Sequence, residues 1–324
     1  SIVHQGRHTD NPVYVGTSLG VYRLDDTRTE WEDYFTGLPS VAVSDLEISL
    51  DDEILTASTY GRGVWQSPIP VQQPDNDLRL LSVSPASGSI LCTTDAIPQI
   101  SVENKGLNSI SQVAVSYRVN GGALNEFTET IDLASGATGT IDLPAINIGG
   151  AGEILLEVSA TVSGDAFNEN NDGQVRFFTN NTAGPNERND FEDAADDLVA
   201  FNANGDGSEW ERGVPQGEVL NAAASGTRVY GTNLDGDHAD ATKAFLLTPC
   251  YDFTSFLAPV LRFNMAYDLE VNFDIVYVEY STDGGDTWNL LGSVDSQPNW
   301  YTSNRTNASS GAEDDCQNCP GAQW

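Results

Sequence analysis

The residue patterns in this chain that could carry chemistry are few, and most of them offer oxygen ligands. Calcium takes roughly six to eight oxygens, which Asp, Asn and Glu side chains supply from loops. Asn202-x-Asn204-x-Asp206-Gly207 has the spacing of the first half of a calcium loop, but Gly213 stands where the bidentate acid should close it. Asp165-x-x-Asn168-Glu169-Asn170-Asn171-Asp172 is a second acidic loop that could contact calcium, against the plainer reading of a solvated turn.

Nucleophilic chemistry has one formal match. Gly16-Thr-Ser18-Leu-Gly20 fits the G-x-S-x-G expression, which needs a strand-turn-helix context to expose its serine. Val21 to Leu24 reads instead as a second strand, so the motif is expected to be a hairpin. No H-E-x-x-H is present, and His4, His8 and His238 are too scattered for a triad. A glycosidase pair can always be drawn among 48 acids, because sequence spacing does not set the distance between two carboxylates. Nothing in the sequence assigns a reaction to this segment.

The cysteines are Cys92, Cys250, Cys316 and Cys319. Cys316-x-x-Cys319 could be half a zinc site or a redox pair, but no second pair follows it. The expected role is to supply a disulfide partner for Cys250, in keeping with an oxidising compartment.

Charge narrows the partners. Against 48 Asp and Glu there are 14 Lys and Arg, a formal charge of −34. Nucleic acid and anionic membrane surfaces bind through cations that replace counterions, so both are poor partners here. Divalent cations, glycans and other proteins remain. No apolar run is long enough for a membrane-spanning helix, so direct membrane insertion is not expected. The chain starts at Ser1 without a signal peptide, which suggests a processed chain or a segment of a larger one.

Such loops must be positioned by strands, and a simple length prior divides the 324 residues into two or three domains. In residues 1–70, Val15-Gly-Thr-Ser-Leu-Gly-Val-Tyr22 and Ala57-Ser-Thr-Tyr-Gly-Arg-Gly-Val-Trp65 repeat one strand-turn-strand, with Gly20 and Gly63 43 residues apart. That is the period of a four-stranded propeller blade. Between them, Leu24-x-Asp26-x-Arg28-x-x-Trp31 has Asp-box spacing without its glycine. This stretch resembles the last blades of sialidase- or sortilin-like propellers in large secreted proteins of Bacteroidota. The resemblance implies an incomplete propeller, display outside the cell or on its surface, and export by type IX secretion.

Val71 to Asp77 is polar and proline-bearing and reads as a linker. Residues 71–183 then hold seven alternating segments: 78–83, 99–102, 113–119, 127–131, 138–143, 154–162 and 175–178, with Gly- and Asn-rich turns between them. Seven short strands in such a length predict an immunoglobulin-like sandwich. The phrases around Asn104-Lys-Gly106 and Asn168-Glu-Asn-Asn171 resemble the adhesion-related bacterial domains called CARDB, which implies a spacer.

After a second linker, Asn180 to Glu187, residues 184–324 contain Asp190-Phe-Glu192, Trp210-Glu-Arg-Gly-Val-Pro215, Tyr230-Gly-Thr-Asn-Leu234, Ala244-Phe-Leu-Leu-Thr-Pro249 and Leu261-Arg-Phe-Asn-Met265. The hairpin Phe273 to Leu291 follows, its turn spelling the Asp box Ser281-x-Asp283-x-Gly285-x-x-Trp288. Leu261, Phe263 and Met265 alternate with polar residues, and Val276, Val278 and Tyr280 share a face, so both segments are predicted strands. Order and spacing resemble the MAM-like jelly roll. That resemblance implies a calcium site formed by Asp190, Glu192, Glu270 and Asp274, with Asp235, Asp237 and Asp240 nearby. Asp283 is expected to hold backbone amides of its turn, with Trp288 packed beneath the hairpin.

The expected fold is all-β: partial propeller blades, an immunoglobulin-like sandwich and a jelly-roll sandwich. The expected function is non-catalytic adhesion, or recognition of protein or glycan ligands, by a secreted or surface-displayed bacterial protein. Two alternatives are accessory domains of a secreted hydrolase whose catalytic domain lies upstream, and a structural subunit of a filament or sheath that self-assembles through module edges.

Overall fold

The structure, a computed structural model, describes the chain apart from residues 7, 9, 51, 185, 187, 195–197, 204–209, 272, 297, 307–315 and 317. The described residues form an all-β chain, with a 3₁₀ turn at Asn168–Asn170 and no closed barrel among them.

The first part is two antiparallel meanders. Strands β1 (Ile2–His4), β2 (Val13–Gly16), β3 (Val21–Leu24) and β4 (Glu32–Asp33) run in that order, and β5 (Val43–Ser49), β6 (Ile54–Thr59) and β7 (Gly63–Pro68) form the second sheet. The sequence repeat is thus one hairpin used twice, β2 to β3 and β6 to β7. Ser18 sits exposed in the first of these turns and a strand follows it, so the G-x-S-x-G match is a hairpin. The sheets share a core of Tyr14, Val21, Val43, Leu46, Leu55, Ala57 and Ile69. Gly16 must stay small, since a Cβ there would lie 2.7 Å from Val43. In the degenerate Asp box the buried acid is Asp25, not Asp26. It accepts from the Thr27 amide at 3.0 Å and pairs with Arg23 at 2.8 Å.

The second part is the sandwich. One sheet orders β14 (Thr138–Asp142), β11 (Gln99–Asn104) and β8 (Leu78–Ser84). The other orders β13 (Asn125–Leu133), β12 (Ile110–Val119), β16 (Gly152–Thr161), β17 (Asp172–Thr179) and β9 (Ile90–Leu91). Short strands β10 (Asp95–Ala96) and β15 (Ile146–Asn147) pair beside them. Each of the seven predicted strands is present. Alternation explains it: Ile154, Leu156, Val158 and Ala160 of β16 point inward together, beside Val113, Val115 and Tyr117 of the neighbouring β12 and in one core with Ile100 and Val102 of the other sheet. Gly173 lets β17 approach β8, where a Cβ would meet Leu80 at 2.3 Å.

The last part is built from short ladders: β18 (Thr182–Ala183) with β23 (Cys250–Tyr251), β19 (Val199–Asn202) with β22 (Ala244–Leu247), β20 (Glu211–Gly213) with β21 (Val229–Gly231), and β24 (Glu279–Tyr280) with β25 (Asn289–Leu290). The strand predicted over Leu261 to Met265 is not formed, and Leu261 and Phe263 are exposed. Alternation gives a segment a face but no partner, and a strand exists only where a neighbour takes its backbone groups.

Both predicted linkers are fastened to the sandwich. Around the first, the amides of Lys105, Leu107, Asn108 and Ala166 donate to the carbonyls of Asp77, Pro74, Asp75 and Asn76. Gly106 allows that approach, because a Cβ there would lie 2.8 Å from Asp75 O and Asp77 N. In the second, the Asn180 amide donates to Leu91 O at 2.7 Å, its side chain reaches Thr248 O at 2.9 Å, and the Cys250 amide donates to Asn181 O at 2.8 Å.

Candidate functional site

The four carboxylates expected to converge fall in two separate bonded sets. Asp190 Oδ1 accepts from the Glu192 amide at 3.2 Å. Glu192 Oε1 accepts the amides of Thr227 at 2.6 Å and Arg228 at 2.8 Å, and Oε2 accepts the Thr227 hydroxyl at 3.0 Å. The Thr227 amide, and then that of Arg228, hold this carboxyl below its ordinary range. Gly226, at φ +63°, leaves room for it: a Cβ there would lie 2.3 Å from Glu192 Oε1. Glu192 therefore clamps the turn at 226–228.

Asp274 belongs to the other set. Its Oδ2 accepts the Glu270 amide at 2.8 Å and lies 3.2 Å from His238 Nε2. The His238 ring is raised above its ordinary pKa, first by its bond to Ala239 O and then by Asp274. Glu270 contributes backbone to the turn, through its carbonyl to the amides of Phe273 and Asp274. Asp235 and Asp237 belong to a third turn, bonded to Asn233.

The expected convergence of Asp190, Glu192, Glu270 and Asp274 is not what this arrangement shows. Among the described residues no three His, Cys, Asp or Glu side chains are grouped to hold a metal. The physical reason is local: Glu192 is taken by three donors of its own turn, and Asp274 by the amide of Glu270 and by His238. In the alternative calcium loop Asn202 ends β19, paired with Ala244, while Asn204 and Asp206 lie outside the described residues.

The cysteines also pair differently from expectation. Cys250 joins Cys92 of the sandwich, with Cα atoms 5.7 Å apart, and Cys316 joins Cys319. Cys92 follows β9 directly, and β9 lies in the middle of the joint. Its Ile90 amide donates to Gly284 O at 2.6 Å, in the turn of the Asp-box hairpin. A Cβ at Gly285 would come within 3.2 Å of Gly88 O. Aromatic contacts continue the seam, with Phe201 4.5 Å from Phe178 of the sandwich and 4.8 Å from Phe245 between ring centroids. Sequence reasoning missed Cys92, Ile90 and Asn180 as joint residues. A run of amide-bearing residues, Asn180-Asn181, just after a core strand was the available signal.

Asp283 builds the turn that docks there. Oδ1 accepts the Thr287 amide at 2.9 Å and the Ser281 hydroxyl at 2.7 Å, while Oδ2 accepts the Thr287 hydroxyl. Those bonds, the Thr287 hydroxyl foremost, bring its pKa down to about 2. Trp288 is 41% exposed, so it is not buried beneath the hairpin. A group whose folded pKa is depressed stabilises the fold above its unfolded value and loses that contribution as pH falls through the folded one. The Asp283 turn is thus expected to hold unchanged down to about pH 4 and to loosen between there and about pH 2. Protection of the Thr287 amide from exchange, taken against an unstructured peptide at the same pH, checks it; Asp283→Ala should show no protection at any pH.

With this geometry in view, likeness to known proteins adds a little. No protein-family model matches the chain. Over 115 residues it is 34% identical to bacillopeptidase F of Bacillus subtilis, which covers 36% of this chain and 8% of that protein. The chain therefore spans a small fraction of the curated relative's length. Among solved structures, the CARDB domain of the PF1109 protein of Pyrococcus furiosus, solved with di-metal ions, aligns at a TM-score of 0.28 and 12% identity, covering 34% of this chain and 93% of that one. The extracellular domain of the hybrid two-component system BT4673 of B. thetaiotaomicron aligns at 0.23 and 12% identity, covering 55% and 24%. These structural likenesses are too distant to carry an argument. No helix among the described residues is long and apolar enough to cross a membrane.

Proposed function

We infer that this chain is a non-catalytic, rigidly jointed set of β modules from a large secreted or surface-displayed protein, which holds recognition loops for protein or glycan ligands in fixed relative positions. The carrying observation is the second joint, where a disulfide, a docked hairpin turn and backbone bonds through Asn180 and Asn181 fix one module on another. A disulfide spanning two modules suits an oxidising setting outside the cell. In this reading residues 1–70 are blades of a propeller, 71–183 an immunoglobulin-like spacer of the CARDB kind, and 184–324 a MAM-like jelly roll; export by type IX secretion belongs to the same reading. A second reading, accessory modules of a secreted peptidase, is favoured by the partial identity with bacillopeptidase F.

Binding of the whole chain to glycan and extracellular-protein arrays, with a peptidase and glycosidase assay in parallel, tests this. Saturable binding without turnover is expected. Hydrolysis by the chain itself, or no binding on either array, would contradict it.

A further inference from the structure

The first part meets the sandwich in a different way from the last part. Among the described residues no strand of the first part pairs with the sandwich, no disulfide joins the two, and their cores are separate clusters. Charge crosses between them instead. Asp52 and Glu53, in the turn from β5 to β6, pair with Arg79 of β8 at 3.9 Å and with Lys105, just after β11, at 3.6 Å. Half of the cations in residues 71–183, which are Arg79, Lys105, Arg118 and Arg176, are thus set against one acidic turn. Both parts hold more acids than cations, so without these pairs they repel one another.

The connecting chain shows where this joint can turn. Its upstream end belongs to the first part: the Ile69 amide donates to Glu53 O at 2.8 Å, Gln5 Nε2 donates to Pro70 O at 2.7 Å, and Val71 packs on the first core. From Pro74 onward it belongs to the sandwich, since the Leu107 amide donates to Pro74 O at 2.9 Å. Gln72 and Gln73 lie between these two anchorages, and both are exposed. A few loop residues in such a place can absorb the φ and ψ changes of a hinge. The angle then depends on forces that act across it. Exposed ion pairs are weak singly and are screened by salt.

We propose that the first part pivots on Gln72 and Gln73, and that the ion pairs of Asp52 with Arg79 and of Glu53 with Lys105 are a salt-sensitive latch holding it at one angle to the sandwich. The inference rests on neither the ligand-binding nor the accessory reading above. It adds a condition to the fixed placement of the modules: the second joint keeps its angle through a disulfide at any ionic strength, while the first keeps its angle only where charge is weakly screened.

The test is the distance distribution between two spin labels on the full chain, carried by non-natural residues at positions 60 and 124 so that the native disulfides stay untouched. Tyr60 of the first part and Leu124 of the sandwich are both exposed. Spectra are taken at about 10 mM and about 1 M sodium chloride, where the Debye length is about 30 Å and about 3 Å. Two double variants are measured beside the parent: Asp52→Asn with Glu53→Gln, and Arg79→Gln with Lys105→Gln. The parent is expected to give one narrow distance at low salt and a broad distribution at high salt, with the open population rising about two- to thirty-fold. Either double variant should be broad at both. A parent distribution that ignores salt would overturn the proposal, and so would a variant that stays narrow at low salt, because the angle would then be set by other contacts. The two variants remove the same pairs from opposite sides, so if one fails to fold the other decides.

Discussion

Reducing the Cys92–Cys250 bridge, or replacing both cysteines by serine, should release the last part of the chain while leaving the sandwich folded. The bridge closes a separation of 158 residues. The chain-entropy relation assigns about 5 kcal/mol to a loop of that size. The sandwich core draws only on residues between Leu78 and Phe177, so its packing does not depend on the bridge. The short ladders of the last part, with Leu261, Phe263 and Val271 exposed, have little burial of their own to replace it. Calorimetry with and without a phosphine reductant should therefore show a low-temperature transition moving down and a high-temperature one staying in place. A single transition that ignores the reductant would show that the joint does not need its disulfide.

Replacing Phe177 by alanine should have the opposite distribution. Phe177 is fully buried on β17 and pairs across the ladder with Ile154, which is also fully buried. Truncating such a ring costs about 3–5 kcal/mol through lost transfer energy and the cavity left behind. That is a large share of the roughly 5–15 kcal/mol that holds a typical domain. Phe177→Leu, which leaves a smaller hole, should lose clearly less. The readout is the midpoint of urea unfolding at unchanged slope. Equal midpoints for the alanine variant and the parent would place Phe177 outside the core.

How much of this was legible beforehand depended on the kind of signal. The seven sandwich strands were readable because each buries one face, and a period of two cannot be satisfied any other way. The repeated hairpin around Gly20 and Gly63 was readable for a related reason, since both glycines adopt positive φ, at +144° and +77°, in equivalent turns. The linkers misled. Val71 to Asp77 and Asn180 to Glu187 are polar, which reports what their side chains prefer but not where their backbone bonds go, and the bonds of Pro74 to Asp77 and of Asn180 reach Lys105, Leu107, Asn108, Ala166 and Leu91. Cysteine pairing was out of reach, because four cysteines allow three connectivities and spacing does not choose among them. The acids misled for the same reason as the linkers. The MAM-like resemblance implies a cation ligand at Glu192, yet two backbone amides of a glycine turn take it first.

Glu192 and Asp283 in fact do the same work on different turns. Each carboxylate gathers backbone amides and a threonine hydroxyl, and each is held below its ordinary pKa by them. The abundance of acids in this chain is thus partly structural, spent on fixing turns. One of those turns, at Asp283 to Gly285, is the surface that meets β9 in the second joint.

The last part of the chain is locked to the sandwich, and the bond between Cys92 and Cys250 is the most direct test of that lock. Non-reducing peptide mapping by mass spectrometry should recover a cross-linked pair of peptides, one holding Cys92 and the other Cys250, with Cys316 and Cys319 joined within a separate peptide. Cys250 linked to Cys316 or Cys319, or Cys92 recovered as a free thiol, would contradict it.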